Sequence, residues 1–257
     1  MKKMNLLKSA LTCATILSLA ITGCGKKEKV QLLETAIYSY GGHSEYEYDD
    51  QNRLTKMYWY CEDGHLTSLR TFIYSETDLV KIRYEEIGNP ESALTEEFTR
   101  NGNEITIKTT DADGYHISTL VLDEAGYPVK LLTRKYDDYL YIFNYIVVDG
   151  NLIQSWHDEI WNDEKTSDIA TAYKYDTNKS RFYYCNTPRW FMIWSGFDPG
   201  RNNITEITWG SDIRYEYVYE YDPAGFPVTR TIIQIHSDGT IDTHETVLYI
   251  FKKHKKH

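Results

Sequence analysis

Little in this 257-residue chain marks an enzyme or a helical membrane protein. It has no Gly-x-Ser-x-Gly, no His-Glu-x-x-His and no glycine-rich phosphate loop, so the common nucleophilic, zinc-hydrolase and nucleotide-binding sites are not signalled. No cofactor motif is present. Metal-site candidates are poor. His157-Asp158-Glu159 and His244-Glu245 are strand neighbours, which point to opposite faces of a sheet. Asp111-Ala-Asp-Gly114 has part of a calcium loop without its closing glutamate, and turn chemistry accounts for it. Helical periodicity is nearly absent. No apolar run beyond residue 24 is long enough for a membrane helix.

Positive charge is scarce in the body of the chain. The sequence holds 28 Lys+Arg and 38 Asp+Glu. Lys2, Lys3 and Lys8 sit at the N-terminus, Lys26, Lys27 and Lys29 follow Cys24, and Lys252, Lys253, Lys255 and Lys256 close the chain. Setting these ends and Glu28 aside leaves 18 basic and 37 acidic residues, a net of −19. Such a body repels phosphate backbones, so no nucleic acid is expected as a partner. The basic stretches at the ends suit anionic head groups, or serve as solvated tails.

The first 24 residues carry the strongest address. A basic start and an apolar run from Leu11 to Ile21 precede Ile21-Thr22-Gly23-Cys24, the pattern of a secretory signal over 1–23. The ending resembles the bacterial lipobox. That resemblance implies cleavage before Cys24, acylation of that cysteine, and a membrane partner reached through its lipid. Several acyl chains at about 0.8 kcal/mol per buried methylene hold durably. The expected organisation is a linker over 24–33, one domain over 34–251 and a frayed basic tail over 252–257. Of the four cysteines, Cys13 leaves with the signal. Cys61 and Cys185 remain, either as a disulfide or as two free thiols.

From Glu34 onward, alternating runs rich in Tyr, Thr, Ile and Val are punctuated by Asp63-Gly64, Asn101-Gly102, Asp113-Gly114, Asp149-Gly150 and Asp238-Gly239. These are hairpin signals, and they divide the chain into about sixteen strands. Residues 88–92 and 162–167 read as longer loops. A unit also recurs: an aromatic strand, an aspartate, a short turn and a Thr/Val–Lys/Arg strand. Tyr46-Glu-Tyr-Asp-Asp-Gln-Asn-Arg-Leu-Thr-Lys56 and Tyr219-Glu-Tyr-Asp-Pro-Ala-Gly-Phe-Pro-Val-Thr-Arg230 are the fullest copies. A lone hairpin cannot bury its apolar face. The expected fold is therefore all-β: one long antiparallel meander, curled or closed into a soluble barrel-like sheet. In 213–222, Tyr215, Tyr217, Tyr219 and Tyr221 alternate with Arg214, Glu216, Val218 and Glu220. Aromatic inside and charge outside is the reverse of a membrane barrel, whose lipid face takes a charge at a cost of about 2–4 kcal/mol. Strand 139–148 is apolar on both faces and reads as covered by a loop.

Tyr-Asp hairpins behind a lipobox resemble a family of Bacteroidetes lipoproteins of unknown function with a porin-like β fold. They resemble Rhs-type Tyr-Asp repeats more weakly. The family likeness runs from about Tyr38 to Phe251 and implies a curved or closed meander and attachment to the outer membrane. It implies no activity.

One segment breaks the alternation: Phe182-Tyr-Tyr-Cys-Asn-Thr-Pro-Arg-Trp-Phe-Met-Ile-Trp-Ser-Gly-Phe197. It reads either as a plug that closes the core or as an aromatic platform for sugar rings, with Trp190, Trp194, Tyr183 and Arg189 as ligand contacts. Trp59, Trp156, Trp161 and Trp209 are further aromatic candidates, more ordinary as core. The expected function is non-catalytic binding of a glycan or another extended ligand at the cell envelope. The alternative is an assembly protein that pairs a free sheet edge, 34–40 or 240–251, with a protein partner.

Overall fold

The computed structural model describes residues 29–136, 139–162, 164–167, 169–210 and 213–255. They form β1 (Lys29–Tyr38), β2 (His43–Tyr48), β3 (Leu54–Tyr60), β4 (Leu66–Tyr74), β5 (Leu79–Glu86), β6 (Asn89–Asn101), β7 (Glu104–Asp111), β8 (Gly114–Leu122), β9 (Pro128–Tyr136), β10 (Tyr139–Val148), β11 (Asn151–Trp161), β12 (Glu164–Ser167), β13 (Thr171–Lys179), α1 (Arg189–Trp194), β14 (Asn202–Trp209), β15 (Ile213–Tyr221), β16 (Pro227–His236) and β17 (Ile241–Lys255).

Consecutive strands pair antiparallel, and β1 pairs with β17 from Lys29↔Lys255 to Tyr38↔Val247, which closes the sheet. β12 pairs only with β11, and β13 rejoins β11 through Gln154↔Ala172 and Ser155↔Thr171. The result is a closed barrel with sixteen strands in the ring. Closure removes both candidate edges, because each is the other's partner.

The barrel has two unlike ends. The start of β1, the end of β17, the Asp-led turns and the long segment 180–201 gather at one end. The turns after β1, β3, β5, β7 and β16 lie at the other, called the mouth below. At the first end the repeat explains itself. The Asp49, Asp123 and Asp222 N–H groups donate to the carbonyls of Arg53, Tyr127 and Phe226, each at 2.9 Å. Their carboxylates accept the N–H groups of those same residues at 2.8, 2.8 and 2.9 Å. The residue before each of those partners is left-handed: Asn52 at φ 62°, Gly126 at 82° and Gly225 at 81°. Only Gly, or Asn at modest cost, fits there, which is why the unit reads Asp-x-x-Gly/Asn.

Leu54, Phe72, Ile82, Phe98, Ile107, Leu120 and Val247 face inward and are buried. Tyr215, Tyr217 and Tyr219 share the inner face of β15, while Arg214, Val218 and Glu220 are exposed outside. The outer wall carries cross-strand ion pairs, Lys81–Glu97 at 2.9 Å and Lys174–Glu206 at 2.8 Å. Charges set mid-strand mark a wall that meets water. No helix among the described residues is long and apolar enough to cross a membrane.

Several expectations are corrected. Strand pairing starts at Lys29, inside the expected linker, and runs to Lys255, inside the expected tail. Both ends are ordered because each supplies the other's ladder. Residues 89–92 belong to β6, and 164–167 form β12 rather than a loop. β10 is not covered along its outer face, where Ile146 and Val148 are 38% and 48% exposed.

Each aspartate turn exchanges several hydrogen bonds for one side chain. Asp222→Ala should lower unfolding free energy by about 1–2 kcal/mol in urea titration, with Asp222→Asn losing less. Equal stability of the alanine variant and the parent would remove the turn from the account.

Candidate functional site

Residues 180–201 leave the strand ladder at the Asp-turn end and fold into the barrel. Phe182, Cys185, Trp190, Phe191 and Met192 are buried in one cluster with inward residues of β1–β9 and β17. Aromatic edges lock the packing: Trp190 on Phe98 at 5.2 Å, Phe191 on Phe72 at 5.8 Å and Phe182 on Tyr46 at 5.5 Å between centroids. Such pairs contribute about 0.5–1.5 kcal/mol each beyond their burial. The segment also hooks onto the turns it covers. Asn186 N–H donates to the Asn52 carbonyl at 2.9 Å, and Leu54 N–H donates to Thr187 Oγ1 at 2.9 Å. Lys179 N–H donates to the Gly225 carbonyl at 3.2 Å. On return, Leu152 N–H donates to the Pro199 carbonyl at 2.8 Å. Gly200 permits that approach, since a Cβ there would lie 2.3 Å from the Tyr175 ring. This is a plug.

The four residues singled out from this segment do not form one surface. Trp190 is 3% exposed and offers no face to a ligand. Trp194 packs on the core and lines a luminal cavity. Tyr183 lies at the Asp-turn end, where its hydroxyl accepts from Arg201 Nη2 at 2.8 Å. Arg189 pairs with Asp198 at 3.3 Å and holds the plug's return. Burial pushes the Asp198 carboxyl up, and Arg189 and Arg181 oppose that. Cys61 and Cys185 are free thiols, one in the β3–β4 turn at the mouth and one in the plug at the opposite end. Cys24 lies outside the described residues.

The plug leaves space inside the barrel. A cavity of about 390 Å³ is lined by Tyr145, Tyr173, Tyr217, Tyr219, Arg181 and Arg230, among others. A second, of about 530 Å³, contains Tyr38, Trp59, Arg70 and Tyr84 and shares Arg181, Gly196 and Phe197 with the first. Burial pushes the Tyr145, Tyr217 and Tyr219 phenols up, so they stay neutral hydrogen-bonding groups. Luminal carboxylates sit beside arginines. Glu245 pairs with Arg230 at 3.1 Å, and Glu96 feels Arg70.

Above the first cavity, a wider one of about 590 Å³ opens at the mouth and shares Tyr145 and Ser155 with it. It is lined by Phe143, Asn144 and Tyr145 of β10, Ser155, Trp156 and His157 of β11, and Ile169, Thr171 and Trp209; an aromatic row continues from Phe143 toward the strand ends. Tyr139 meets Tyr141 at 4.7 Å and Trp161 at 5.1 Å, and Phe143 meets His157 at 5.5 Å. Trp209 faces them from β14. Trp161 and Trp209 are 55% and 53% exposed, and Ile169 beside them is 72% exposed. β11 and β13 pair only through Gln154↔Ala172 and Ser155↔Thr171, so the direct ladder between them stops there. The sequence signal for this ladder was strand 139–148, apolar on both faces. Its inner half is the luminal aromatic row.

No family model matches the chain, and no curated protein matches it. Solved structures do. A porin-like protein from Bacteroides uniformis aligns at 13% identity over 86% of this chain and 98% of its own, with a TM-score of 0.37. A porin-like protein from Bacteroides vulgatus aligns at 12% over 87% and 99%, TM-score 0.41. The TcdB2-TccC3-Cdc42 structure aligns at 11% over 89% of this chain and 15% of its own, TM-score 0.30.

Inside the wall, burial raises the Glu96 carboxyl, with Arg70 opposing. A raised carboxyl adds stability below its unfolded pKa and loses it as pH rises through the folded pKa. Glu96→Gln should therefore melt higher than the parent at neutral pH, with the gap closing on acidification. A gap independent of pH would refute this.

Proposed function

We propose that this protein is a lipid-anchored, non-catalytic binding protein of the bacterial cell envelope, whose mouth takes a glycan. One observation carries the reading: the aromatic row of Tyr139, Tyr141, Phe143, His157 and Trp161 at the mouth, faced by Trp209, in which Phe143, Trp161 and Trp209 are exposed and the others half-buried. Aromatic faces left in water at a concave opening stack on the apolar faces of sugar rings, while phenol and imidazole groups bond the hydroxyls. A large exposed apolar surface is costly unless a ligand covers it.

The anchor reading rests on Ile21-Thr22-Gly23-Cys24 and gains support from topology. β1 starts at the plugged end, so a short tether from Cys24 through Glu28 sets that end on the membrane and turns the mouth outward. Outer-membrane attachment is part of the same proposal.

A polysaccharide array tests the site. The parent should bind a subset of glycans, and Trp161→Ala/Trp209→Ala should lose at least about tenfold in affinity with its fold intact by circular dichroism, since stacking contributes on the order of 1–2 kcal/mol per ring. Binding unchanged in the double variant would sink the mouth as the site. For the anchor, Cys24→Ser should abolish acyl labelling and release the protein from membranes. Retained labelling would exclude Cys24.

A further inference from the structure

The luminal cavity carries a guanidinium, Arg181, that forms no ion pair among the described residues, although the Asp198 carboxylate lies in the same lining. Arg181 leads into the plug and lines both inner cavities. It donates through Nη2 to the Phe197 carbonyl at 3.0 Å, and its guanidinium lies 5.2 Å from the Phe182 ring and 5.8 Å from the Tyr249 ring. Among the described residues no carboxylate forms an ion pair with it. Asp198, a carboxylate of the same cavity lining, accepts at Oδ2 from Ser180 Oγ at 3.0 Å and from Arg189 Nη1 at 3.3 Å. Across the cavity, Arg230 gives Nη2 to Glu245 at 3.1 Å, while its buried Nε has no partner. Both guanidiniums and Tyr219 line the same cavity. A guanidinium stays protonated at any physiological pH. An unpaired one taken out of water is costly unless an anion meets it.

The rest of the wall states the size and kind of anion. Tyr145, Tyr173, Tyr217 and Tyr219 ring the space with neutral phenols, and the volume of about 390 Å³ lies in the range of small-ligand sites. The body is strongly acidic, yet its guanidiniums point inward here, so a small anion is drawn to the lumen rather than to the surface.

We propose that this cavity binds the carboxylate of a sugar acid. Arg181 supplies the counter-charge, Arg230 adds positive potential from the wall, and the phenols bond the ring hydroxyls. This rests on the glycan reading and deepens it: the mouth holds the chain and the lumen selects an acidic residue within it.

The test compares galacturonate with galactose, a pair matched in shape and different in charge, by isothermal titration of the purified protein. Galacturonate should bind at least about tenfold tighter, the scale of one charge-assisted hydrogen bond, and the preference should shrink as salt rises. Arg181→Met should erase it. If that variant fails to fold, Arg230→Gln on the barrel wall decides, with an expected loss of about tenfold. Equal binding of the two sugars, no binding of either, or a preference that survives both substitutions overturns the inference. In each of those cases array binding that depends on Trp161 and Trp209 would leave the glycan reading standing. An array without any hit removes that reading separately.

Discussion

Closing sixteen strands into a ring leaves an interior that strand side chains alone do not fill. Eight strands suffice to pack a barrel solid, and larger rings hold a channel or a plug. Everything else here follows from that constraint. The β1–β17 ladder closes the ring, and closure forces residues 180–201 inward as the only part of the described chain that leaves the ladder for long. The plug is apolar on the side of β1–β9, where Phe98, Phe72 and Leu120 meet it. It is polar on the side of β13–β16, where Ser180, Arg181 and Asp198 meet tyrosines and Arg230. One segment thus makes a core and a cavity at once.

The division of polarity between wall faces explains why the barrel suits water. Outward charges are paired across strands, as in Lys81–Glu97, and such exposed pairs contribute little stability. The tyrosines face in because a phenol buries a large ring and still satisfies a hydroxyl at a damp interface. Tyr175 illustrates this, donating to the Leu152 carbonyl at 2.7 Å where the plug's return meets β11.

The repeating turn was legible in the sequence because it is local. Asp, two variable residues and a left-handed Gly or Asn close their own hydrogen bonds within five residues. Strand alternation was equally legible, since period two follows from the pleat. Closure was not. Lys29–Tyr38 and Ile241–Lys255 are far apart in sequence, and the basic character of both ends reads as tail until each is seen as the other's partner. The plug's place was half legible. Broken alternation and apolar content marked Phe182–Phe197, but those features fit a buried helix and an exposed platform alike, and only the ring's width decides between them. Trp161 and Trp209 were overshadowed by Trp190 and Trp194 for the same reason. A tryptophan in an alternating strand looks like core, and its exposure depends on where β11 parts from β13.

The position of the plug gives the lumen a direction. The plug, the start of β1, the end of β17 and the Asp-led turns share one end, and Trp161 and Trp209 lie toward the other. With Cys24 acylated as proposed, the four residues Gly25–Glu28 reach at most about 14 Å, less than the length of the strands that separate the plugged end from the mouth. The barrel then stands on its sealed end, and an anionic membrane surface meets the lysines of β17 rather than the acidic wall. A pore would need both ends open and an apolar belt. Here the plug and hydrogen-bonded turns fill one end, and the outer wall mixes ion pairs with exposed apolar side chains such as Val218, Leu248 and Ile250.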